Sequence, residues 1–153
     1  MSNADTYSSD EILARLPESP LETRMGIEFV EATRDRVVAR MPVEGNTQPF
    51  GLLHGGASCV LAETTGSLAA TIHGYPTHVA VGVEISCSHH RGVRGGDVTA
   101  TATPLRAGRQ VATYHVEITD DEGRSIATAR LTCLLRPVES DDAAGAAQQP
   151  TGR

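Results

Sequence analysis

The chain contains no lysine and no tryptophan, and it has few aromatic residues of any kind. Phe, Trp and Tyr together make up 3% of its 153 residues, so the core has to be built from Val, Ile, Leu and Ala. All 13 basic residues are arginine, and any phosphate contact must therefore come from Arg, His or backbone N–H groups. A net charge of −6 without a basic stripe predicts that nucleic acid is not a partner.

Several patterns that would point to other classes of protein are also missing. Cys59, Cys87 and Cys133 are widely spaced and form no C-x-x-C pair, which predicts neither a zinc site nor a disulfide framework. A metal site at His89 and His90 is not expected, because adjacent residues of a strand point to opposite faces. There is no G-x-S-x-G nucleophile motif and no P-loop.

The chain also lacks the marks of export or of a membrane protein. The N-terminus has neither a basic start nor an apolar core, so no secretory signal peptide is predicted. The apolar runs are too short for a membrane span. We therefore expect no membrane partner and a cytoplasmic location.

The length predicts one domain with extensions at both ends. Residues 1–20 are interpreted as a leader with a short helix over 11–16, which Ser9-Asp10 caps and which Pro17 and Pro20 end. Residues 138–153 are low in hydrophobicity and are predicted to be disordered.

Most of the remaining chain has the pattern of strands. Six segments are rich in branched side chains with partial two-residue alternation: 26–33, 35–43, 77–90, 97–107, 109–120 and 124–137. A tight charged turn joins the first two, and an Asp-Glu-Gly turn precedes the last, so both places predict hairpins.

One segment, 54–72, has the pattern of a long helix. Five residues recur at helical spacing and form one face: Ala57, Val60, Leu61, Thr64 and Leu68. Small residues fill most other positions, which suits a helix that a sheet wraps closely. The sequence therefore predicts an α+β fold in which an antiparallel sheet of about six strands wraps one long central helix. The sheet edge and the open side of the helix favour a homo-oligomer.

The start of this helix is a candidate binding site for a carbonyl oxygen. His54 precedes Gly55 and Gly56, so bare backbone N–H groups open the helix at the positive end of its dipole. Such N–H groups stabilise negative charge that develops on a carbonyl oxygen. The alternative is that the glycines only ease a tight turn into the helix.

Three further side chains are candidates for chemistry. Glu63 is a single carboxylate among apolar neighbours, Ser67 follows one turn later, and Gln48 offers an amide in the preceding loop. Glu63 lies roughly 12 Å along the helix from His54, so within one chain the two do not reach the same atom, although a symmetric dimer removes this limit. The alternatives are a solvated or ion-paired Glu63, a Ser67 that only packs, and a solvated Gln48.

Two cationic turns are candidate phosphate sites. The first contains His89, His90, Arg91 and Arg94, and the second contains Arg106 and Arg109. Surface turns rich in arginine also occur without any such role.

The run QPFGLLHGGASCVLAETTGS at 48–67 resembles that of hotdog-fold acyl-CoA thioesterases. The resemblance continues through VGVEISCSHHRGVRGGDV, TPLRAGR and ITDDEGRSIATARLT, and covers roughly residues 26–136 in order and spacing. It is strongest to the hydroxybenzoyl-CoA and dihydroxynaphthoyl-CoA hydrolases, with the phenylacetate-pathway thioesterases nearby. It implies a hotdog domain over 21–137, in dimers or dimers of dimers with active sites between protomers.

The resemblance also implies roles for individual residues. Glu63 would be the nucleophile or the general base for water. Gln48 and the Gly55 N–H would bind the thioester carbonyl, His54 would fix the turn, and Ser67 would assist hydrolysis. The residues implied to contact the CoA or acyl part are Gly82, His89, His90, Arg91, Gly92, Arg106, Ala107, Gly108, Arg109, Gln110 and Val111.

These residues predict hydrolysis of an acyl-CoA, with an aromatic or bulky acyl group, to the acid and CoA. No cofactor and no metal are expected beyond the CoA of the substrate. His90 and Gly92 depart from what is common in the family, which bears on single CoA contacts more than on the chemistry. The rival hypotheses are a hotdog dehydratase that uses His54 as base and a non-catalytic acyl-CoA binder.

Overall fold

A computed structural model describes residues 8–138 of the chain. In chain order the elements are α1 (Ser9–Leu13), α2 (Pro20–Met25), β1 (Glu28–Ala32), β2 (Val37–Pro42), α3 (Gly55–Gly74), β3 (His78–His89), β4 (Asp97–Ala107), β5 (Val111–Asp120) and β6 (Ser125–Pro137). No helix in this range is long and apolar enough to cross a membrane.

The strands form one antiparallel sheet of six, in the order β1-β2-β4-β5-β6-β3. Both predicted hairpins are confirmed, since β1 pairs with β2 and β5 pairs with β6. β3 follows α3 in the chain and lies on the side of β6 that faces away from β5. It pairs with β6 along its whole length. The other side of β3 is a sheet edge twelve residues long. Such an edge offers unpaired backbone N–H and C=O groups to another chain.

The long helix α3 packs on the sheet and contacts all six strands. Its small residues allow a close approach, because a Cβ atom on Gly66 would lie 2.7 Å from Leu131 Cδ2. The buried Tyr114 hydroxyl donates a hydrogen bond to the carbonyl oxygen of Ala69 on α3, at 3.2 Å. The predicted α+β architecture, with one helix wrapped by a six-stranded antiparallel sheet, is thus confirmed.

The N-terminal segment differs from its prediction. The first helix spans Ser9–Leu13 rather than 11–16, and Ser8 caps it in a capping box with Glu11, so the cap predicted at Ser9-Asp10 is wrong. Pro20 does not end a helix but begins α2. At this first helical position an N–H group would have no partner within the helix, so its absence in proline breaks no hydrogen bond. The boundary predicted at residue 21 therefore falls inside α2. Residues 1–7 and 139–153, which include most of the predicted disordered tail, lie outside the described range.

The turn between β5 and β6 contains a buried carboxylate. Asp120 accepts hydrogen bonds from the backbone N–H groups of Glu122 and Arg124, and from Arg124 Nε at 2.7 Å. Burial alone would raise the pKa of Asp120, but the hydrogen bonds from Arg124 and Glu122 outweigh it and hold this pKa below its usual value. The ionised form is therefore the one that stabilises the turn.

We expect Asp120→Asn to lower the melting temperature by a few degrees at neutral pH. The pKa of Asp120 is depressed in the folded state. The stability that the ionised Asp120 contributes is therefore present above its unfolded pKa of about 3.9, and is lost as the pH falls through its folded pKa. Thermal unfolding followed by circular dichroism at neutral and acidic pH would test this, with the exposed Glu117→Gln as control. If Asp120→Asn lowered the melting temperature by the same amount at both pH values, this would contradict a role for the charge of Asp120.

Candidate active site

The N-terminus of α3 presents a free backbone donor. His54 caps the helix, since its Nδ1 accepts a hydrogen bond from the N–H of Gly56 at 2.7 Å. The carbonyl oxygen of His54 accepts the N–H groups of Ala57 and Ser58. The N–H of Gly55 has no hydrogen-bond partner within residues 8–138. This donor lies at the positive end of the helix dipole and is available to an oxygen that gains negative charge.

Gln48 adds a second donor next to this N–H. The side-chain oxygen of Gln48 accepts the backbone N–H of Phe50 at 2.6 Å, which leaves its Nε2 group free to donate. A cavity of about 400 Å³ is lined by Gln48 and Gly55 together with residues His89 to Gly92, which belong to the first cationic turn. The fold thus brings the cationic side chains next to an amide donor and a helix N-terminus that precede them by more than thirty residues in sequence.

Within the first cationic turn, three side-chain contacts hold the chain in place. The His90 imidazole is 3.0 Å from Thr128 Oγ1, and Arg94 donates to the carbonyl oxygen of Phe50 at 2.9 Å. Gly92 packs on Leu52, because a Cβ there would lie 3.0 Å from Leu52 Cδ2. Arg91 is exposed and forms no ion pair with the described residues.

Glu63 lies further along α3, at a second cavity of about 550 Å³ that it shares with Ser67. Its side chain is exposed in the single chain and points toward β3, where a Cβ on Gly82 would be 3.4 Å from Glu63 Oε1. Among the described residues none forms an ion pair with Glu63, so the alternative of an arginine partner is not seen. Its carboxylate is available for chemistry at the β3 edge.

A buried thiol, Cys133, lies near Glu63 and Ser67, although it was not among the predicted site residues. Cys133 on β6 is completely buried. Burial, followed by the nearby charge of Glu63, raises the pKa of Cys133, and a hydrogen bond with Ser67 opposes this in part. Cys133 is therefore a neutral thiol in the neighbourhood of Glu63 and Ser67.

The structure does not bring all predicted site residues together within one chain. Glu63 follows Gly55 by eight residues of continuous helix, a separation of about 12 Å along the axis. Gln48, His54, Gly55 and the first turn thus occupy one place on the protomer, and Glu63, Ser67 and Gly82 occupy another.

The second cationic turn is at the opposite end of α3. A cavity of about 1000 Å³ is lined by all of Arg106 to Val111 and by the C-terminal end of the helix. The His73 imidazole is 3.0 Å from the carbonyl oxygen of Gly108, which ties the turn to α3. Arg106 and Arg109 are exposed and form no ion pair within the described range.

The wall of the Glu63 cavity comes largely from α1, α2 and the chain between them, which the sequence interpretation treated as a leader. Its apolar lining is Leu13, Leu16, Pro17, Leu21, Phe29, Val60 and Leu68. The signals for α2 were present in the sequence, with Ser19 as N-cap, Pro20 at the first helical position and Gly26 at the C-cap. Taken together they predict a short helix over this segment, and the structure places Leu21 of that helix at the cavity.

Comparison with known proteins agrees with this architecture. The family model of the thioesterase superfamily matches residues 50–127. A putative esterase of Deinococcus radiodurans is 46% identical over 114 residues, which cover 74% of this chain and 72% of the relative. The proofreading thioesterase EntH of Cronobacter turicensis is 46% identical over 116 residues, which cover 75% of this chain and 85% of the relative.

A solved structure extends the agreement to three dimensions. The crystal structure of a thioesterase from Haemophilus influenzae superposes with a TM-score of 0.80 at 35% sequence identity, covering 90% of this chain and 96% of that one. The family match spans the end of the loop before α3, the helix, β3, β4, β5 and the start of β6. The chain therefore belongs to the thioesterase superfamily and is a thioester hydrolase with the hotdog fold.

Proposed function

We propose that the protein hydrolyses an acyl-CoA thioester, with an aromatic or other bulky acyl group, to the free acid and CoA. The observation that carries the proposal is the pairing of two features. Glu63, a carboxylate without an ion pair among the described residues, lies at the sheet edge beside an apolar cavity, and the Gly55 N–H, which has no partner within residues 8–138, lies beside the Gln48 amide. These are the base or nucleophile and the carbonyl-binding donors that thioester hydrolysis needs.

The two features would meet across a symmetric dimer. Glu63 lies against Gly82 of β3, and Gly55 lies against His89 of the same strand. An antiparallel pairing of two β3 edges that is centred near Ile85 and Ser86 places Gly82 of one copy opposite His89 of the other. Glu63 of one protomer then faces the Gly55 N–H and Gln48 of its partner. The long open edge of β3 supports this arrangement.

In this composite site the chemistry follows from the groups present. Gly55 N–H and the Gln48 amide hold the thioester oxygen as it becomes an oxyanion. Glu63 either removes a proton from the attacking water or attacks the carbonyl carbon itself, and the second route ends in hydrolysis of the resulting anhydride. In both routes the C–S bond breaks and the thiolate of CoA leaves; in the first route the oxygen of water ends in the acid, and in the second water cleaves the anhydride and regenerates Glu63. Ser67, one helical turn beyond Glu63 and in the same cavity, would orient the water.

The cationic turns suit the phosphates of CoA. Arg91, Arg106 and Arg109 are exposed and without ion pairs in the described chain, so their guanidinium groups are available to phosphate oxygens. The first turn adjoins the carbonyl-binding donors, and the second lies at the other end of α3. In the proposed dimer, residues of both protomers surround one CoA.

The cavity next to Glu63 suits a bulky acyl group, because aliphatic side chains and Phe29 line it. A further apolar patch supports the pairing of dimers. Val81, Leu134 and Val111 lie side by side on the outer face of the sheet, and each is at least 36% exposed. All three cysteines are free thiols, which accords with a cytoplasmic location.

Release of free thiol from a panel of thioesters would test the proposal. The panel pairs each acyl group as its CoA and its pantetheine thioester, with hydroxybenzoyl, dihydroxynaphthoyl, phenylacetyl, benzoyl and aliphatic acyl groups. We expect aromatic acyl-CoA substrates to be hydrolysed fastest, and the pantetheine forms to have a raised KM because the phosphate contacts are lost. Equal KM values for the two carriers would contradict CoA recognition, and binding without thiol release would favour an acyl-CoA binder.

A further inference from the structure

Three side chains that bind soft metal ions meet between α3 and β3. Cys59 is on α3, and Cys87 and His89 are on β3. One ligand atom from each lies within 4.8 Å of the other two. Both cysteines are half-buried free thiols, and His89 is exposed, so the cluster is accessible from one side. The sequence predicts no zinc site, because its cysteines form no C-x-x-C pair.

The elements that carry the three ligands hold them in a suitable arrangement. Cys87 and His89 are two residues apart on a strand, so their side chains leave the same face. That face is toward α3, since the Cys87 and Cys59 sulfur atoms lie within 4.8 Å of each other and the His89 ring packs against Gly55. The proposed dimer pairs β3 through its backbone edge, and the face toward α3 remains available.

The spacing is compatible with tetrahedral zinc. With Zn–S bonds of about 2.3 Å and Zn–N bonds of about 2.0 Å, neighbouring ligand atoms lie roughly 3.5–3.8 Å apart. Ligand atoms that already lie within 4.8 Å of one another need a contraction of about 1.0–1.3 Å at most, which is within the reach of side-chain rotation.

The donor set decides the class of ion. Two thiolates and one imidazole select zinc over magnesium and calcium, which prefer carboxylate and carbonyl oxygens. Three protein ligands leave the fourth tetrahedral position open to water or to a further thiolate.

We infer that Cys59, Cys87 and His89 form a zinc-binding site with one open coordination position. The inference does not depend on the proposed thioester substrate, because it concerns binding of the ion and not turnover. Its position, one helical turn from Gly55, places it beside the proposed carbonyl-binding donors.

Titration with Co²⁺ as a spectroscopic probe tests the site. The protein is prepared without a polyhistidine tag, stripped with chelator and kept reduced with a phosphine. We expect one Co²⁺ to bind per chain with a thiolate-to-cobalt charge-transfer band and the intense d–d bands of tetrahedral coordination. Zinc should abolish both, and competition with a chromophoric chelator gives its Kd. Weak d–d bands without charge transfer would overturn the inference.

Variants identify the ligands. Cys59→Ala, Cys87→Ala and His89→Ala should each weaken zinc binding by more than about tenfold, since even the loss of an outer-shell partner costs that much. Cys133→Ala and His115→Ala remove a thiol and an imidazole elsewhere and should retain the wild-type Kd. Circular dichroism checks folding, and Cys59→Ser and Cys87→Ser replace any alanine variant that unfolds. Ligand variants that bind like the wild type would overturn the assignment.

Discussion

Glu63→Gln is expected to lower kcat by roughly a hundredfold to ten-thousandfold, which is the contribution typical of a side chain that transfers a proton in the transition state. Glutamine keeps the shape of the side chain but can neither accept a proton from water nor attack a carbonyl carbon. KM should change little, because the proposed CoA contacts come from the cationic turns. Thiol release under saturating acyl-CoA measures the effect.

The same substitution should leave the fold intact. Glu63 is exposed in the single chain and forms no ion pair within the described residues, so the loss of its charge removes no native contact of that kind. Glu117→Gln is the matched control, since it removes an exposed carboxylate from the outer face of β5 and should keep full turnover. A Glu63→Gln enzyme with near wild-type kcat would show that another group activates the water.

Much of the fold could be predicted because its signals are local. Strands that have one face on α3 alternate in side-chain type, and glycine-containing turns separate them. The helix was also predicted at 54–72 against Gly55–Gly74 in the structure. Its buried face was harder to assign, because the larger side chains Val60 and Thr64 are only half-buried and line the Glu63 cavity. Leu61 and Leu68 of the predicted face are buried, but so are the small residues Ala62, Thr65 and Gly66 outside it.

Local signals could not reveal contacts between distant segments. Cys133 is 66 positions beyond Ser67 in sequence, yet the fold brings the Cys133 thiol next to the Ser67 side chain. The neighbourhood of Gly82 and Glu63, and that of His89 and Gly55, likewise depends on how β3 crosses α3. The role of the N-terminal helices was missed for a different reason. Their capping residues were readable, but short helices have weak periodicity and the prolines were taken as ends.

Two variants that are each inactive alone should form an active dimer when one chain of each kind is combined. Gln48→Ala removes a donor to the oxyanion and is expected to cost about a hundredfold to a thousandfold in kcat. If Glu63 of one protomer works with Gln48 of the other, a mixed dimer of Gln48→Ala and Glu63→Gln chains has one site with both native residues and one with neither. Random mixing in a two-fold dimer then gives about a quarter of the wild-type activity.

Co-expression of the two variants with different affinity tags, followed by two-step purification, isolates the mixed dimers for this measurement. The purified heterodimer should reach about half of the wild-type kcat, since one of the two equivalent sites in a two-fold dimer is complete. Glu63→Gln co-expressed with the double variant Gln48→Ala/Glu63→Gln is the control, because none of its sites contains the carboxylate. Activity of the heterodimer equal to the mean of its two parents would place Gln48 and Glu63 of one chain in the same site. That result would require α3 to bring groups about 12 Å apart to one carbonyl, which the geometry of a continuous helix opposes.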